Sequence, residues 1–156
     1  MRSTDMIAVL DPVKEEIVWA MVGAWKMQHE PTALDNGNLL LLDNQGPDRN
    51  HKRSTVLELN PSSGTISWRY NGDASDPFYT QTCGALARLK NGNTLITESD
   101  NGRVFEVDAK GSIVWQYLNP HRAGPGDELV ATIFELLRFD RTYVADWLPS
   151  AATRQR

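Results

Sequence analysis

The stretch that decides the fold is "LDNGNLLLLDN", Leu34–Asn44, because the chain repeats it as "LKNGNTLITES", Leu89–Ser99. In both copies an Asn-Gly-Asn sequence separates two apolar runs, and Asn-Gly in that setting is a strong signal for a β-hairpin. A type I′ turn is predicted there, since it needs positive φ at both central residues. Leu39–Leu42 is apolar without alternation, which predicts a strand buried on both faces.

A second repeated unit consists of two strand-like runs around a polar turn. It occurs three times, as "IAVLDPVKEEIVWAM" (7–21), "TVLELNPSSGTISWRY" (55–70) and "RVFEVDAKGSIVWQY" (103–117). The tryptophans in these units, Trp19, Trp68 and Trp115, are 49 and 47 residues apart, a period expected of propeller blades or other repeat arrays. The sequence therefore predicts an all-β fold, a partial β-propeller of about three four-stranded antiparallel blades, with the tryptophans packed between blades.

We expect a single propeller segment over residues 1–150. It contains a half blade at 6–21, blades at 29–70 and 80–117, and final strands at 121–147, with a frayed tail at 150–156. For residues 130–139 a strand is favoured, although the apolar spacing also fits a helix. A closed propeller usually needs four to eight blades. Three interpretations stay open: the C-terminal part of a longer propeller, a split gene product, or closure by self-association.

Composition excludes several classes of function. The 156 residues are 40% hydrophobic, enough for one compact domain, and the net charge of -4 with dispersed Lys and Arg argues against nucleic acid as a partner. Cys83 is the single cysteine, which excludes an internal disulfide and a multi-cysteine metal site. No calcium-loop spacing is present, so neither a metal nor a cofactor is expected. The N-terminus resembles neither a signal peptide nor a membrane span, so the chain as given is expected to be cytoplasmic.

Three motifs together resemble the arylsulfotransferase-like β-propellers, the bacterial aryl-sulfate sulfotransferase group. They are "QHEP" before the first hairpin, "LLLLDN" after it, and "NGNTLITESDNGRVFEV" further on, and the resemblance covers about Asp5–Arg141. Members of that family are typically several hundred residues long with about six blades. The resemblance therefore implies the C-terminal part of a longer propeller. Because members are often exported, it also implies a periplasmic or secreted location.

The resemblance further implies a reaction, the transfer of a sulfuryl group from an aryl sulfate to a phenol through a sulfated histidine. Neutral imidazole is a good nucleophile at pH 7, and the moving SO₃ group needs positioned donors. His29 in "QHEP" matches the family's channel histidine. It stands just before the first strand of a whole blade, and the sister repeat has Gly84 in its place. His29 is the candidate nucleophile; the alternative is a histidine held by backbone groups at the blade mouth.

Five further residues are candidates for binding the substrate. The amide of Asn44, which replaces Ser99 of the other repeat, would donate to a sulfuryl oxygen or close a turn. Arg49, His51 and Arg53 lie in an inserted basic loop, "NQGPDRNHKRS", that either holds an anionic sulfate or is a solvated surface loop. His121 follows "LNP" between blades, where it either approaches the channel or serves a turn.

Two functions stay open at this point. The first is an arylsulfotransferase-like enzyme whose partners are a small aromatic sulfate and a phenol. Family enzymes are expected to place several histidines and an arginine around one channel, so activity of this chain alone is left open. The second is a non-catalytic propeller-type module for binding or assembly.

Overall fold

The computed structural model describes residues 1–46 and 52–148, and these ranges are built from short antiparallel strands. Two 3₁₀ turns, Arg2–Thr4 and Ser99–Asn101, are the helical elements of these ranges, and none has the length and hydropathy to span a bilayer. The strands are β1 Met6–Asp11, β2 Glu16–Val22, β3 His29–Ala33, β4 Leu39–Asp43, β5 Thr55–Leu59, β6 Ile66–Tyr70, β7 Ala85–Arg88, β8 Thr94–Glu98, β9 Arg103–Val107, β10 Ile113–Leu118, β11 Arg122–Ala123 and β12 Leu129–Val130.

The strands form two four-stranded sheets in which each strand bonds to its neighbour in sequence. Strands β3 to β6 make blade I and strands β7 to β10 make blade II. Strands β1 and β2 pair as the N-terminal hairpin, and β11 with β12 form a small ribbon. The meander order and the repetition of the unit confirm the all-β, partial-propeller fold predicted from the sequence.

Blade I is covered on both faces. Leu40 and Leu42 of β4 pack toward blade II, Leu41 packs toward the N-terminal hairpin, and all three are fully buried, as the unbroken apolar run predicted. The cluster between the blades comprises Leu40, Leu42, Val56, Tyr70, Phe78, Leu86, Ile96, Phe105 and Val107. The cluster on the hairpin side comprises Ile7, Trp25, Leu41, Leu57 and Leu59, with Trp19 packed against it.

The turn at Asn-Gly-Asn is not the predicted type I′. Gly37 has φ +82°, but Asn36 is absent from the positive-φ residues, and the Gly37 N–H donates to the Leu34 carbonyl at 2.9 Å. This is a turn followed by a glycine in the left-handed region, the geometry of a longer hairpin loop. The reason is the length of the loop: the Leu34 N–H donates to the Asn38 carbonyl at 2.8 Å, which leaves three residues in the loop where a type I′ hairpin has two. Asn36 Nδ2 also donates to Glu58 Oε1 on β5 at 3.0 Å.

The strand expected around residues 130–139 is also not formed. Only Leu129–Val130 pairs, with Arg122–Ala123, and residues 131–139, here called the C-terminal segment, have no regular secondary structure. In the described part of the chain no further strand is available to bond with this segment. It is held on blade II by contacts such as the Ile133 N–H to the Ser99 carbonyl, 3.4 Å. The tail predicted at 150–156 lies outside the described residues.

Candidate functional site

His29 is the first residue of β3, and a β-bulge sets its direction. His29 pairs with Leu42, but the next pair is Thr32 with Leu40, so two residues of β3 oppose one of β4. Glu30, inside the bulge, has φ +53°, an uncommon conformation for a residue other than glycine. Bulges of this kind re-aim a side chain at the end of a strand. Here the bulge turns the half-buried His29 toward the loop after β4.

The imidazole of His29 bonds to a fully buried amide. Its Nδ1 lies 2.7 Å from Asn44 Oδ1. Asn44 Nδ2 donates to two carbonyls, those of Thr80 at 3.0 Å and Cys83 at 2.7 Å, and these acceptors fix which end of the amide faces the ring. An amide oxygen can only accept, so Nδ1 carries the proton. In the neutral ring Nε2 then keeps its lone pair.

Two further buried residues support Asn44. Ser54 Oγ donates to the Asn44 carbonyl at 2.8 Å and accepts the Thr80 N–H at 2.9 Å, and all three residues are fully buried. Neither Ser54 nor Thr80 was predicted from the sequence as part of the site. No local signal marks either residue, because the contact joins the loops of blade I to the segment that enters blade II. The network therefore couples the position of the His29 partner to the packing of the two blades.

The bulge changes which residue of the sister repeat corresponds to His29. His29 pairs with Leu42, and the counterpart of Leu42 in blade II, Thr97, pairs with Ala85, so the structural position of His29 is taken by Ala85 and not by Gly84. Gly84, one residue earlier, has φ +116°, and a Cβ there would lie 2.4 Å from Leu42 Cδ2. Blade II therefore has a small buried alanine where blade I has the imidazole. Ser99 replaces Asn44 at the corresponding end of β8.

Next to Asn44, Asp43 holds the segment that leads into the first strand of blade I. Its Oδ1 accepts the N–H groups of Lys26 at 2.8 Å and Gly46 at 3.0 Å. Burial raises the pKa of the Asp43 carboxyl, and these N–H donors oppose that rise. In blade II, Glu98 likewise accepts the Tyr79 N–H at 3.0 Å. Both carboxylates hold the segment that leads into a blade, which is a structural role.

The other predicted site residues do not meet at His29. Arg53 lines a separate cleft of about 840 Å³ between the N-terminal hairpin and blade I, together with Arg69 and Trp25, and His29 is not among its lining residues. His121 is exposed, and its N–H donates to Asn119 Oδ1 at 3.0 Å in a turn. Arg49 and His51 lie outside the described residues. Within residues 1–46 and 52–148, no cluster of three His, Cys, Asp or Glu side chains suits a metal ion.

With this geometry in place, comparison with known proteins assigns the family. The family model described as "Arylsulfotransferase (ASST)" matches residues 1–120, well over half of the 156. The chain belongs to the arylsulfotransferase family. Both His29 and Asn44 fall inside the range matched by that family, whereas the C-terminal segment falls beyond it. No curated protein matches the chain.

Among 27 matching solved chains, two illustrate the level of similarity of this arylsulfotransferase-family chain. One is a protein of unknown function from Bacteroides caccae, with 16% identity and a TM-score of 0.48, covering 74% of this chain and 39% of that one. The other is BamB from Moraxella catarrhalis, with 15% identity and a TM-score of 0.43, covering 76% and 31%. The chain thus spans well under half the length of either structure.

Proposed function

We propose that this chain transfers a sulfuryl group from an aryl sulfate to a phenolic acceptor, with His29 as the nucleophile. The observation that carries the proposal is the 2.7 Å contact between His29 Nδ1 and Asn44 Oδ1. It fixes the tautomer whose Nε2 lone pair is free to attack, the arrangement that an activated histidine nucleophile requires. Membership of the arylsulfotransferase family supports the choice of reaction.

The proposed transfer has two displacement steps at sulfur. In the first, the Nε2 lone pair of His29 forms an N–S bond, the S–O bond to the aryl group breaks, and the phenolate leaves with the electron pair and takes a proton from water. The sulfated ring still carries its Nδ1 proton and is cationic. In the second, the acceptor phenol oxygen attacks the sulfur, the N–S bond breaks, and the phenol proton passes to solvent. His29 returns to its neutral form.

In this proposal Asn44 is a positioning residue. Both hydrogens of its Nδ2 are taken by the Thr80 and Cys83 carbonyls, which leaves no N–H for a sulfuryl oxygen. Its Oδ1 instead holds the Nδ1 proton of His29 and stabilises the charge that develops on the ring during the first step. Because Asn44 is fully buried, this hydrogen bond is shielded from water and electrostatically stronger than an exposed one.

The direct test measures transfer from 4-nitrophenyl sulfate to phenol. His29→Ala should abolish transfer, and mass spectrometry of wild-type protein quenched at alkaline pH should find a sulfated His29 peptide. Asn44→Ser, which installs the residue of the sister repeat, should lower kcat with little change in KM. Asn60→Ser, in an exposed turn of blade I, is the matched control and should match wild type. A wild-type rate equal to that of His29→Ala would overturn the proposal.

A non-catalytic binding module is the second candidate, and one observation favours it. In the described ranges, Asn44 is the residue that hydrogen-bonds the His29 ring; no guanidinium or second imidazole joins it. Such donors would be needed for the three sulfuryl oxygens. On this alternative, 4-nitrophenyl sulfate binds without turnover. Calorimetric titration of the wild type and His29→Ala, run beside the transfer assay, separates the two candidates.

A further inference from the structure

We propose that Asp100 of blade II is a positioning residue that sets the tautomer of His29 in blade I. It acts through residues 80–84, here called the entry loop, which lead into β7 and hold the side chain of Asn44. The effect on sulfuryl transfer rests on the proposed function. The effect on the tautomer does not, because it is measured without any substrate.

The entry loop contains an insertion relative to the segment that leads into blade I. Lys26 and Tyr79 are equivalent, because the N–H of each donates to the carboxylate that ends the second strand of its blade, at 2.8 and 3.0 Å. His29 follows Lys26 by three positions, whereas Ala85, its structural counterpart, follows Tyr79 by six. Blade II therefore has three additional residues between Tyr79 and its first strand.

The entry loop supplies both acceptors that orient the Asn44 amide. The carbonyls of Thr80 and Cys83 take the two hydrogens of Asn44 Nδ2, and this leaves Oδ1 facing His29. Cys83 has φ +55°, an uncommon conformation for a residue other than glycine. A backbone in such a conformation persists only where surrounding contacts hold it. The position of the Cys83 carbonyl therefore depends on what fixes the entry loop.

Asp100 fixes the middle of the entry loop from the turn between β8 and β9. Its Oδ2 accepts the Thr82 N–H at 3.0 Å, and its Oδ1 accepts the Thr82 hydroxyl at 3.1 Å. The Thr82 carbonyl in turn accepts the Thr80 hydroxyl at 2.8 Å. One carboxylate thus holds the residue that lies directly before Cys83 and is bonded to Thr80.

Asp100 and the insertion depart from the repeat together. Asp100 stands where blade I has Gln45, one position after the equivalent residues Asn44 and Ser99. In blade I, Gln45 contacts the shorter entry segment through its backbone, since its N–H donates to the Lys26 carbonyl at 3.3 Å. The Asp100 carboxylate is therefore not part of the structure common to both blades, and it accompanies the longer loop that it holds.

Releasing the entry loop changes which hydrogen bond the His29 ring receives. Once the Cys83 carbonyl moves away, the Asn44 amide no longer gains two hydrogen bonds in its present orientation and can turn end for end. Its Nδ2 then faces the ring and donates, so Nδ1 accepts and the neutral ring carries its proton on Nε2. The Nε2 lone pair is no longer available, which removes the nucleophile of the proposed reaction.

The test reads the His29 tautomer by ¹⁵N NMR at a pH at which the ring is neutral, with His29→Ala to assign the signals. Wild type should carry the proton on Nδ1. Asp100→Asn, which loses one carboxylate acceptor, should raise the fraction protonated on Nε2. It should also lower kcat by about three- to tenfold with KM unchanged, the effect of losing one hydrogen bond. Asp108→Asn is the matched control and should leave the tautomer unchanged, because Asp108 accepts the N–H groups of Lys110 and Ser112 at the other end of blade II.

A milder second variant, Thr82→Val, removes only the hydroxyl bond to Asp100 and should shift the tautomer in the same direction by less. Asp100 and Thr82 are both exposed, so neither substitution deletes a buried side chain, and circular dichroism confirms that each variant is folded. An unchanged tautomer in Asp100→Asn, an equal change in Asp108→Asn, or a wild type protonated on Nε2 would overturn the inference. If the tautomer shifts as expected but wild type transfers no sulfuryl group, the proposed function fails and the positioning role of Asp100 stands.

Discussion

The two faces of blade I meet different neighbours. Within residues 1–46 and 52–148, an ion pair between strands of facing sheets lies on the blade II side, whereas the hairpin side has an ion pair outside the strands, between Lys26 and Asp5. Toward blade II, Glu58 accepts Arg88, and it also accepts the Nδ2 groups of Asn36 at 3.0 Å and Asn38 at 2.8 Å. Toward the N-terminal hairpin, the equivalent positions hold Val9 and Ala33, so both partners are replaced together. The repeat therefore specifies the strands of each blade, while individual residues specify how firmly neighbouring blades are attached.

The apolar packing also differs between the two faces of blade I. Tyr70, Phe78 and Phe105 meet between the blades with ring centroids 5.6 to 5.8 Å apart. The hairpin side has the cleft of about 840 Å³ lined by Trp25 and Leu57. Segments with fewer buried contacts open at lower free energy. We infer that the hairpin separates from blade I before the blades separate from each other.

The largest expected effect compares two adjacent leucines of β4. Leu40→Ala and Leu41→Ala each delete a fully buried side chain, at a cost of about 2–5 kcal/mol in the free energy of unfolding. The loss for Leu40→Ala should be near the upper end of this range, because Leu40 faces the closely packed aromatic cluster between the blades. The loss for Leu41→Ala should be smaller, because the residues packed around Leu41 adjoin the cleft and can move into the cavity that the substitution leaves. Urea denaturation measures both; an equal or greater loss for Leu41→Ala would remove the distinction between the faces.

The next largest effect comes from removing the ion pair. Arg88→Ala leaves the Glu58 carboxylate buried without its cationic partner, which should cost about 1–3 kcal/mol of unfolding free energy. Arg69→Ala, an exposed arginine of the adjacent strand, is the matched control and should change stability by less than about 0.5 kcal/mol. Equal losses of unfolding free energy in the two variants would mean that the ion pair between Arg88 and Glu58 does not stabilise the contact between the blades.

The sequence predicted the blades because their signals are local. Apolar runs, Asn-Gly-Asn loops and the tryptophan period each arise within a single repeat, so one chain displays them directly. The turn type was missed because the hairpin closes between Leu34 and Asn38, so its loop has three residues and not the two of an Asn-Gly turn. His29 was singled out by its departure from the repeat, but its tautomer depends on Asn44 reaching the Cys83 carbonyl across the blade boundary. A contact between residues this far apart in the sequence produces no pattern in the spacing of residue types, so it could not be predicted.

A smaller effect is expected from transplanting the ion pair to the hairpin side. Val9→Glu with Ala33→Arg, measured as a double-mutant cycle by urea denaturation, should give a favourable coupling of about 0.5–1 kcal/mol. The value should fall below that of the Glu58 pair, because Asn36 and Asn38 have no counterpart on the hairpin among the described residues. Zero or unfavourable coupling would show that Val9 and Ala33 do not face one another across this interface.

The smallest expected effect is a change in the pH dependence of stability. Burial raises the pKa of Glu58, but Asn38, Asn36 and Arg88 together outweigh it, so the folded-state pKa lies below the ordinary value of 4.5. The resulting stabilisation is present above pH 4.5 and is lost as the pH falls through the folded-state pKa. Asp43 has the opposite sign: its raised pKa favours the protonated folded form, so its contribution declines as the pH rises.

These signs give two variants with opposite outcomes, measured by urea denaturation from about pH 5 to about pH 3. Glu58→Gln should make the acid-side loss of stability shallower than in wild type, because it removes a group that must be protonated at a cost. Asp43→Asn should make it steeper, because it removes a group whose protonation favours folding. If both variants changed the slope of unfolding free energy against pH in the same direction, the opposite pKa shifts of Glu58 and Asp43 would be refuted. The division between the two faces of blade I would then rest on apolar packing alone.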